Sequence, residues 1–195
     1  MSRLVIIGAG FSGTVAAIEF MRRAPKGAEV VLINRSGKMA RGLAYGTSSQ
    51  HHLLNVPAGN MSALFDEPDS FLSFCQLTQP ETHSGSFVSR AIYGAYLEHL
   101  LASVEVETAS TVSCRRVTGN VVSVEKRGEG VVLQMTSGAI LEADHVVLAF
   151  GNFAPQDPIA VDRIESGTTY VSDPWSTGAE LVHQGAKKVL LVGTG

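Results

Sequence analysis

Leu4-Val5-Ile6-Ile7-Gly8-Ala9-Gly10-Phe11-Ser12-Gly13 begins only three residues into the chain. Its first four residues are apolar and rich in β-branched side chains, the pattern of a short strand buried on both faces of a parallel sheet. A predicted helix runs from Phe11 to Arg23, with Val15, Ile18 and Met21 on one face and Ala16 and Ala17 small enough for close packing. Pro25-Lys26-Gly27 stops it, and Val30–Ile33 supplies a second buried strand. Residues 4–34 therefore read as one complete βαβ unit. Within it, Gly8-x-Gly10-x-x-Gly13 sits between strand and helix. The first glycine permits the tight turn, the second lets the backbone approach a diphosphate, and the third lets helix and strand pack closely. The open helix end adds unpaired N–H groups and a positive dipole. Residues Gly8, Ala9, Gly10, Phe11, Ser12 and Gly13 are thus the expected dinucleotide contacts, with Ser12 able to reach a phosphate oxygen or to cap the helix.

An acid is expected at the end of the second strand, where it would bind ribose hydroxyls. Asn34 stands there instead, followed by Arg35. The Asn34 carbonyl oxygen can still accept from a hydroxyl. Arg35 can stack on adenine, meet a 2′-phosphate, or stand in solvent as a turn residue.

Outward from this unit, residues 35–110 read as an insertion of loops and helices. Gly37, Gly42, Gly46, Pro57 and Gly59 punctuate a long loop, and long loops in compact domains are usually functional. Asp66-Glu67-Pro68-Asp69 looks like the start of a short helix carrying Phe71, Leu72, Phe74 and Cys75. A stronger helix spans 92–104, with Tyr93, Tyr96, Leu97, Leu100, Leu101 and Val104 on one face. Strands at 111–117, 121–126 and 131–136 form an expected β-meander over 111–142. Residues 144–151 then form a buried strand ending on glycine. Residues 187–195 form another apolar run, leading into Gly193-Thr194-Gly195.

Composition narrows the function class. The 195 residues carry 15 Lys and Arg against 18 Asp and Glu, a net charge of −3 with no basic block, so nucleic acid is not an expected partner. Cys75 and Cys114 form no CxxC, and a reduced, cytoplasmic chain is the simplest reading. No apolar run is long enough to span a membrane. His51 and His52 are adjacent rather than at ligand spacing, and no metal site is expected. No Ser/His/Asp or Cys/His set suggests hydrolysis.

The order of these segments resembles the FAD domain of two-dinucleotide-binding flavoproteins, in which a strand ending in an A-x-G-like turn, here Ala149-Phe150-Gly151, closes the domain. Three middle blocks resemble something narrower. They are Arg41-Gly42-Leu43-Ala44-Tyr45-Gly46-Thr47, then His52-Leu53-Leu54-Asn55-Val56-Pro57-Ala58-Gly59-x-Met61-Ser62-Ala63, then Phe87-x-x-Arg90-x-x-Tyr93-Gly94-x-Tyr96-Leu97. They look like the bacterial FAD/NAD(P)-binding protein family, which is related to NAD(P)H-dependent flavin monooxygenases.

The resemblance implies an α/β, Rossmann-like FAD-binding domain over 1–186, with a central parallel sheet, inserted helices and a β-meander. Residues 187–195 would open a truncated second, NAD(P)-binding domain. It also implies that Gly8, Gly10 and Gly13 cradle the FAD diphosphate and that the 41–63 loop lies along the flavin or substrate side. Asn55 is then the expected polar contact near the flavin, and Ala149 and Gly151 flank the cofactor. Arg41 and Arg90 can meet phosphates or a substrate acid, or serve the fold alone. Trp175 is expected to anchor the connecting segment. The expected function is the FAD-binding part of an NAD(P)H-dependent, monooxygenase-like oxidoreductase acting on a small molecule. An inactive nucleotide-binding module and a nicotinamide-only dehydrogenase domain are the alternatives. Catalytic residues, substrate and oligomeric state are not legible.

Overall fold

The computed structural model describes residues 2–153, 156–157, 169–173, 188 and 190. The chain divides into two compact units, Met1–Gly151 and Asn152–Gly195. The expected domain boundary at 186–187, the second GxG and Trp175 fall outside the described residues.

The first unit is a Rossmann-like α/β fold. Strand β1 (Arg3–Ile7) leads through helix α1 (Phe11–Arg23) to β2 (Glu29–Asn34), and the two strands pair in parallel from Arg3↔Glu29 to Ile7↔Ile33. Pro25 follows the Ala24 cap of α1 as expected, because a helix cannot continue through a residue that lacks the N–H and clashes with the preceding turn. The insertion holds a one-turn helix α2 (Gly42–Tyr45), a 3-10 turn at Ala58–Asn60, helix α3 (Ser70–Thr78) and helix α4 (Arg90–Thr108). Helix α4 begins where the Ser89 side chain accepts a hydrogen bond from the Ile92 N–H. Strands β3 (Ser113–Thr118), β4 (Val121–Arg127), β5 (Gly130–Met135), β6 (Ile140–Ala143) and β7 (His145–Leu148) follow.

Strand order is β3-β2-β1-β7 in one parallel sheet and β4-β5-β6 in an antiparallel one. The meander is therefore 121–143. The strand at 111–117, assigned to the meander from sequence, belongs to the parallel sheet as β3, registered from Glu29↔Ser113 to Asn34↔Thr118. The reason is local. Ser-Cys-Arg-Arg-Val-Thr carries the short alternating pattern that either sheet accepts, and only its tertiary pairing with β2 decides between them.

Side-chain alternation along the parallel strands builds two cores. Leu4, Ile6, Val30 and Leu32 face a helical layer that includes Ile18, Met21, Leu97 and Leu101, while Val5, Val31 and Ile33 face Leu133, Met135 and Ala143 of the meander. Helices, parallel sheet and meander thus make three layers, and the apolar runs of β1 and β2 follow from burial on both faces. Strand β7, expected to be buried, is instead largely exposed, with Leu148 at 59%. Among the described strands it pairs with β1 alone.

Leu133 is fully buried on the meander side. Replacing it with alanine is expected to cost ~2–5 kcal/mol in urea unfolding. A loss below ~0.5 kcal/mol would show that the meander lies on the sheet without packing into it.

Candidate functional site

The carboxyl ends of β1 and β2 and the start of α1 meet at the glycine turn. Gly8 adopts φ +104°, and its N–H donates to the Ile33 carbonyl at 2.8 Å, tying the turn to β2. A Cβ on Gly8 would overlap the Ala149 carbonyl and stand 2.8 Å from Phe150 Cα, just beyond β7. A Cβ on Gly13 would overlap the Gly8 carbonyl oxygen and lie 3.2 Å from Ile6 Cγ2. Packing between helix and strand therefore demands glycine at both positions.

Gly10 is different. It is the N-cap of α1, with φ −81° and ψ −164°, a conformation open to any residue, and the nearest atom to an added Cβ would be Gly42 Cα at 3.5 Å. Neither backbone nor packing requires glycine there. No side chain caps α1, and no acid occupies its first turn. Its leading N–H groups keep their pull on an anion. These features fit a diphosphate lying close to the backbone.

Sequence reading missed one partner of this turn. Gly42, with φ +56°, sits so near that its own Cβ would approach Gly10 Cα to 2.9 Å. Helix α2 is seated on α4 through another absent side chain, since a Cβ on Gly94 would lie 2.5 Å from the Tyr45 carbonyl oxygen. Tyr45 packs 4.5 Å from the Tyr93 ring, and the partly exposed Phe11 ring lies 6.4 Å from Tyr45. A glycine's value as a contact surface depends on what folds against it, which no local pattern reports.

The remaining expected residues are placed as follows. Asn34 ends β2, and its side-chain amide donates to Ser36 O (3.1 Å), Ser36 Oγ (3.2 Å) and Lys38 O (2.9 Å). Arg35 and Asn55 are exposed, Ala9 is fully buried, and Ser12 is exposed at the helix start. The Ala149 N–H donates to the Ile7 carbonyl at 2.7 Å, and Gly151 is exposed with φ +72°. Arg41 forms a two-pronged pair with Glu98 of α4 at 2.7 and 2.8 Å, which ties α2 to α4 and holds the guanidinium above its usual pKa. Arg90 Nε donates to the Leu53 carbonyl at 3.1 Å and its N–H to the His52 carbonyl at 2.7 Å, fixing the 52–54 segment beside α4. The Tyr96 hydroxyl donates to Ser70 Oγ and accepts from the Ala63 N–H. Tyr96 thus holds the end of the 41–63 segment and the start of α3.

Charge is distributed unevenly along the sheet. Glu29 and Asp144 cluster with Arg3 at its amino end. From Val30 to Phe65 the sequence contains no Asp or Glu, yet it contains Arg35, Lys38 and Arg41. A cavity of about 600 Å³ lies elsewhere, between α3 and α4, and is lined by Asp69, Phe74, Tyr96 and His99 among others.

A family model described as FAD-NAD(P)-binding matches residues 5–153. The chain belongs to the FAD-NAD(P)-binding family. No curated protein sequence matches it. Among solved structures, cyclohexanone monooxygenase from Rhodococcus sp. Phi1 bound to NADP+ is similar, with a TM-score of 0.58 and 20% identity over 83% of this chain and 29% of that one. An oxidised steroid monooxygenase bound to NADP has a TM-score of 0.56 at 19% identity, over 82% of this chain and 28% of that one. The Diels-Alderase PyrE3 of the pyrroindomycin pathway has a TM-score of 0.51 at 17% identity, over 77% and 32%. At these identities the likeness is one of fold. The FAD-NAD(P)-binding chain spans under a third of the length of each of these proteins.

Two outcomes are expected from this geometry. Gly13→Ala should abolish folding or lower the melting temperature sharply, whereas Gly10→Ala should keep stability within ~1 kcal/mol of wild type, read by thermal and urea unfolding. Burial also pushes the thiols up, to about 11 for Cys75 and about 12 for Cys114. Because the thiolate is the reactive form, both should resist a disulfide reagent at pH 8 in the folded protein and react promptly in urea.

Proposed function

We propose that the turn at residues 8–13 holds the diphosphate of FAD and that the chain is the FAD-binding part of an NAD(P)H-dependent, monooxygenase-like oxidoreductase. The observation that carries the reading is Gly10, a glycine whose missing side chain the protein itself does not need. The uncapped start of α1 and the lack of any Asp or Glu from Val30 to Phe65 support it, as does membership of the FAD-NAD(P)-binding family.

In this reading Gly10 admits the diphosphate to the backbone, and the N–H groups at the start of α1 receive its charge. Asn34 and Arg35 lie on the adenosine side. The α2 segment, seated against Gly10 and α4, walls the same end of the site, and Asn55 contributes from the loop beyond it. Ala149 and Gly151 close the cradle on the β7 side. Arg41 acts through Glu98 to hold α2 in place. Bound flavin would supply the redox chemistry, while the chain binds, orients and shields it. Residues 187–195 would open the second nucleotide-binding unit, for NAD(P)H. A small-molecule substrate and a cytoplasmic setting complete the proposal.

The test is titration of FAD into the purified chain, followed by the visible flavin bands and by calorimetry. Wild type should bind. Gly10→Ala should weaken binding at least about tenfold, equivalent to ~1.4 kcal/mol or more, with an unchanged melting temperature. Equal affinity in the two proteins, or no binding by wild type, would overturn the reading.

A further inference from the structure

We propose that Asn34, with Arg35 beside it, opens the adenosine end of this site to a ribose carrying a 2′-phosphate, so that an NADP-type dinucleotide competes with FAD for the glycine turn. The inference rests on the reading of residues 8–13 as a dinucleotide turn.

Asn34 lies one residue beyond the Ile7↔Ile33 pair, and Gly8 donates to Ile33, so the end of β2 adjoins the turn. The carboxamide orientation is not ambiguous. Two of its three acceptors are the backbone carbonyls of Ser36 and Lys38, and only the NH2 group can donate to a carbonyl. Both amide hydrogens are thereby committed within the turn. What the side chain retains is Oδ1, a neutral acceptor.

A carboxylate at this place does two things. It accepts from ribose hydroxyls, and it repels a 2′-phosphate, which is how such sites reject phosphorylated cofactors. Asn34 keeps the first capacity and lacks the second. An acceptor oxygen can take the 3′-hydroxyl whether or not the 2′ position is phosphorylated. The next residue, Arg35, is exposed, and Lys38 lies on the same turn and is also exposed. A guanidinium and an ammonium are the groups that receive a phosphate. No acid in the stretch from Val30 to Phe65 opposes them.

The matched probes are ADP-ribose and 2′-phospho-ADP-ribose, which share the diphosphate and differ only at the 2′ position. Each is titrated by calorimetry into the 195-residue chain and then used to displace bound FAD. The phosphorylated probe is expected to bind within threefold of ADP-ribose or tighter, and to displace FAD. Arg35→Glu places an acid beside the site and leaves the Asn34 hydrogen bonds alone. It should weaken the phosphorylated probe at least tenfold and ADP-ribose by less than threefold. Arg35→Ala should also lower the phosphorylated probe selectively, and raised salt should shrink the difference. A wild-type preference for ADP-ribose beyond threefold overturns the inference. So does an equal loss of both probes in Arg35→Ala, which would mark a stacking role on adenine. In either case FAD binding stands. Failure of FAD and both probes to bind would remove the dinucleotide reading itself.

Discussion

Helix α1 meets strand β1 at a separation that admits no side chain. The Gly13 Cα faces the Gly8 carbonyl so closely that a methyl group on Gly13 would overlap that oxygen. This contact sets the direction of α1 and thereby aims its amino end over the sheet. Gly8 bonds to Ile33 and packs beneath Ala149 and Phe150, so the same turn joins β1, β2 and the end of β7. Moving the helix outward to make room would separate all three. The two glycines that serve this packing are distinct from the one, Gly10, that leaves space at the surface of the turn.

The rest of the first unit supports that junction from both sides. Alternation along β1 and β2 sends one set of side chains to α1 and α4 and the other to the meander. Burying a large apolar side chain contributes ~1.5–3 kcal/mol, and the parallel strands collect such terms on both faces. Helix α4 carries a second function through Tyr93, Gly94, Tyr96 and Glu98. These seat α2, close over Tyr45, pin residues 63 and 70, and neutralise Arg41. The long insertion is therefore held by the helix that covers the sheet, and its α2 end reaches back to Gly10.

How much of this was legible in the sequence follows from the range of each interaction. The β1–α1–β2 unit was readable because its signals are local: an apolar run, three spaced glycines, a helical face and a proline stop. Helix α4 was readable by its period, though two residues longer at the start and four at the end, where Ser89 caps it and fraying helix ends carry little pattern. Strand β3 was found as a strand and assigned to the wrong sheet, since pairing with β2 is a tertiary fact. The exposure of β7 was missed because an apolar run signals a capacity for burial and not its completion. At the site, the glycine turn and the departure at Asn34 were visible. The contact of Gly42 with Gly10 and the pair of Arg41 with Glu98 were not, because each joins residues whose separation no periodicity encodes.

A fold shared with monooxygenases and with a Diels-Alderase does not select a reaction, so selection has to come from charge and space at the site. This chain supplies both at one end of its sheet. Glu29 and Asp144 stand with Arg3 at the amino end, Glu29 on its guanidinium and Asp144 on its backbone N–H, at the opposite end of β1 from the glycine turn. At the carboxyl end, the uncapped helix start and Arg35 leave a positive bias, while Glu98 is occupied by Arg41. The Arg3 guanidinium pairs with Glu29 at the amino end of the sheet, and Arg41 pairs with Glu98 of α4 and so neutralises it. An anionic ligand at residues 8–13 would meet a backbone with room at Gly10, a helix start with no acid in its first turn, and a following stretch from Val30 to Phe65 without Asp or Glu.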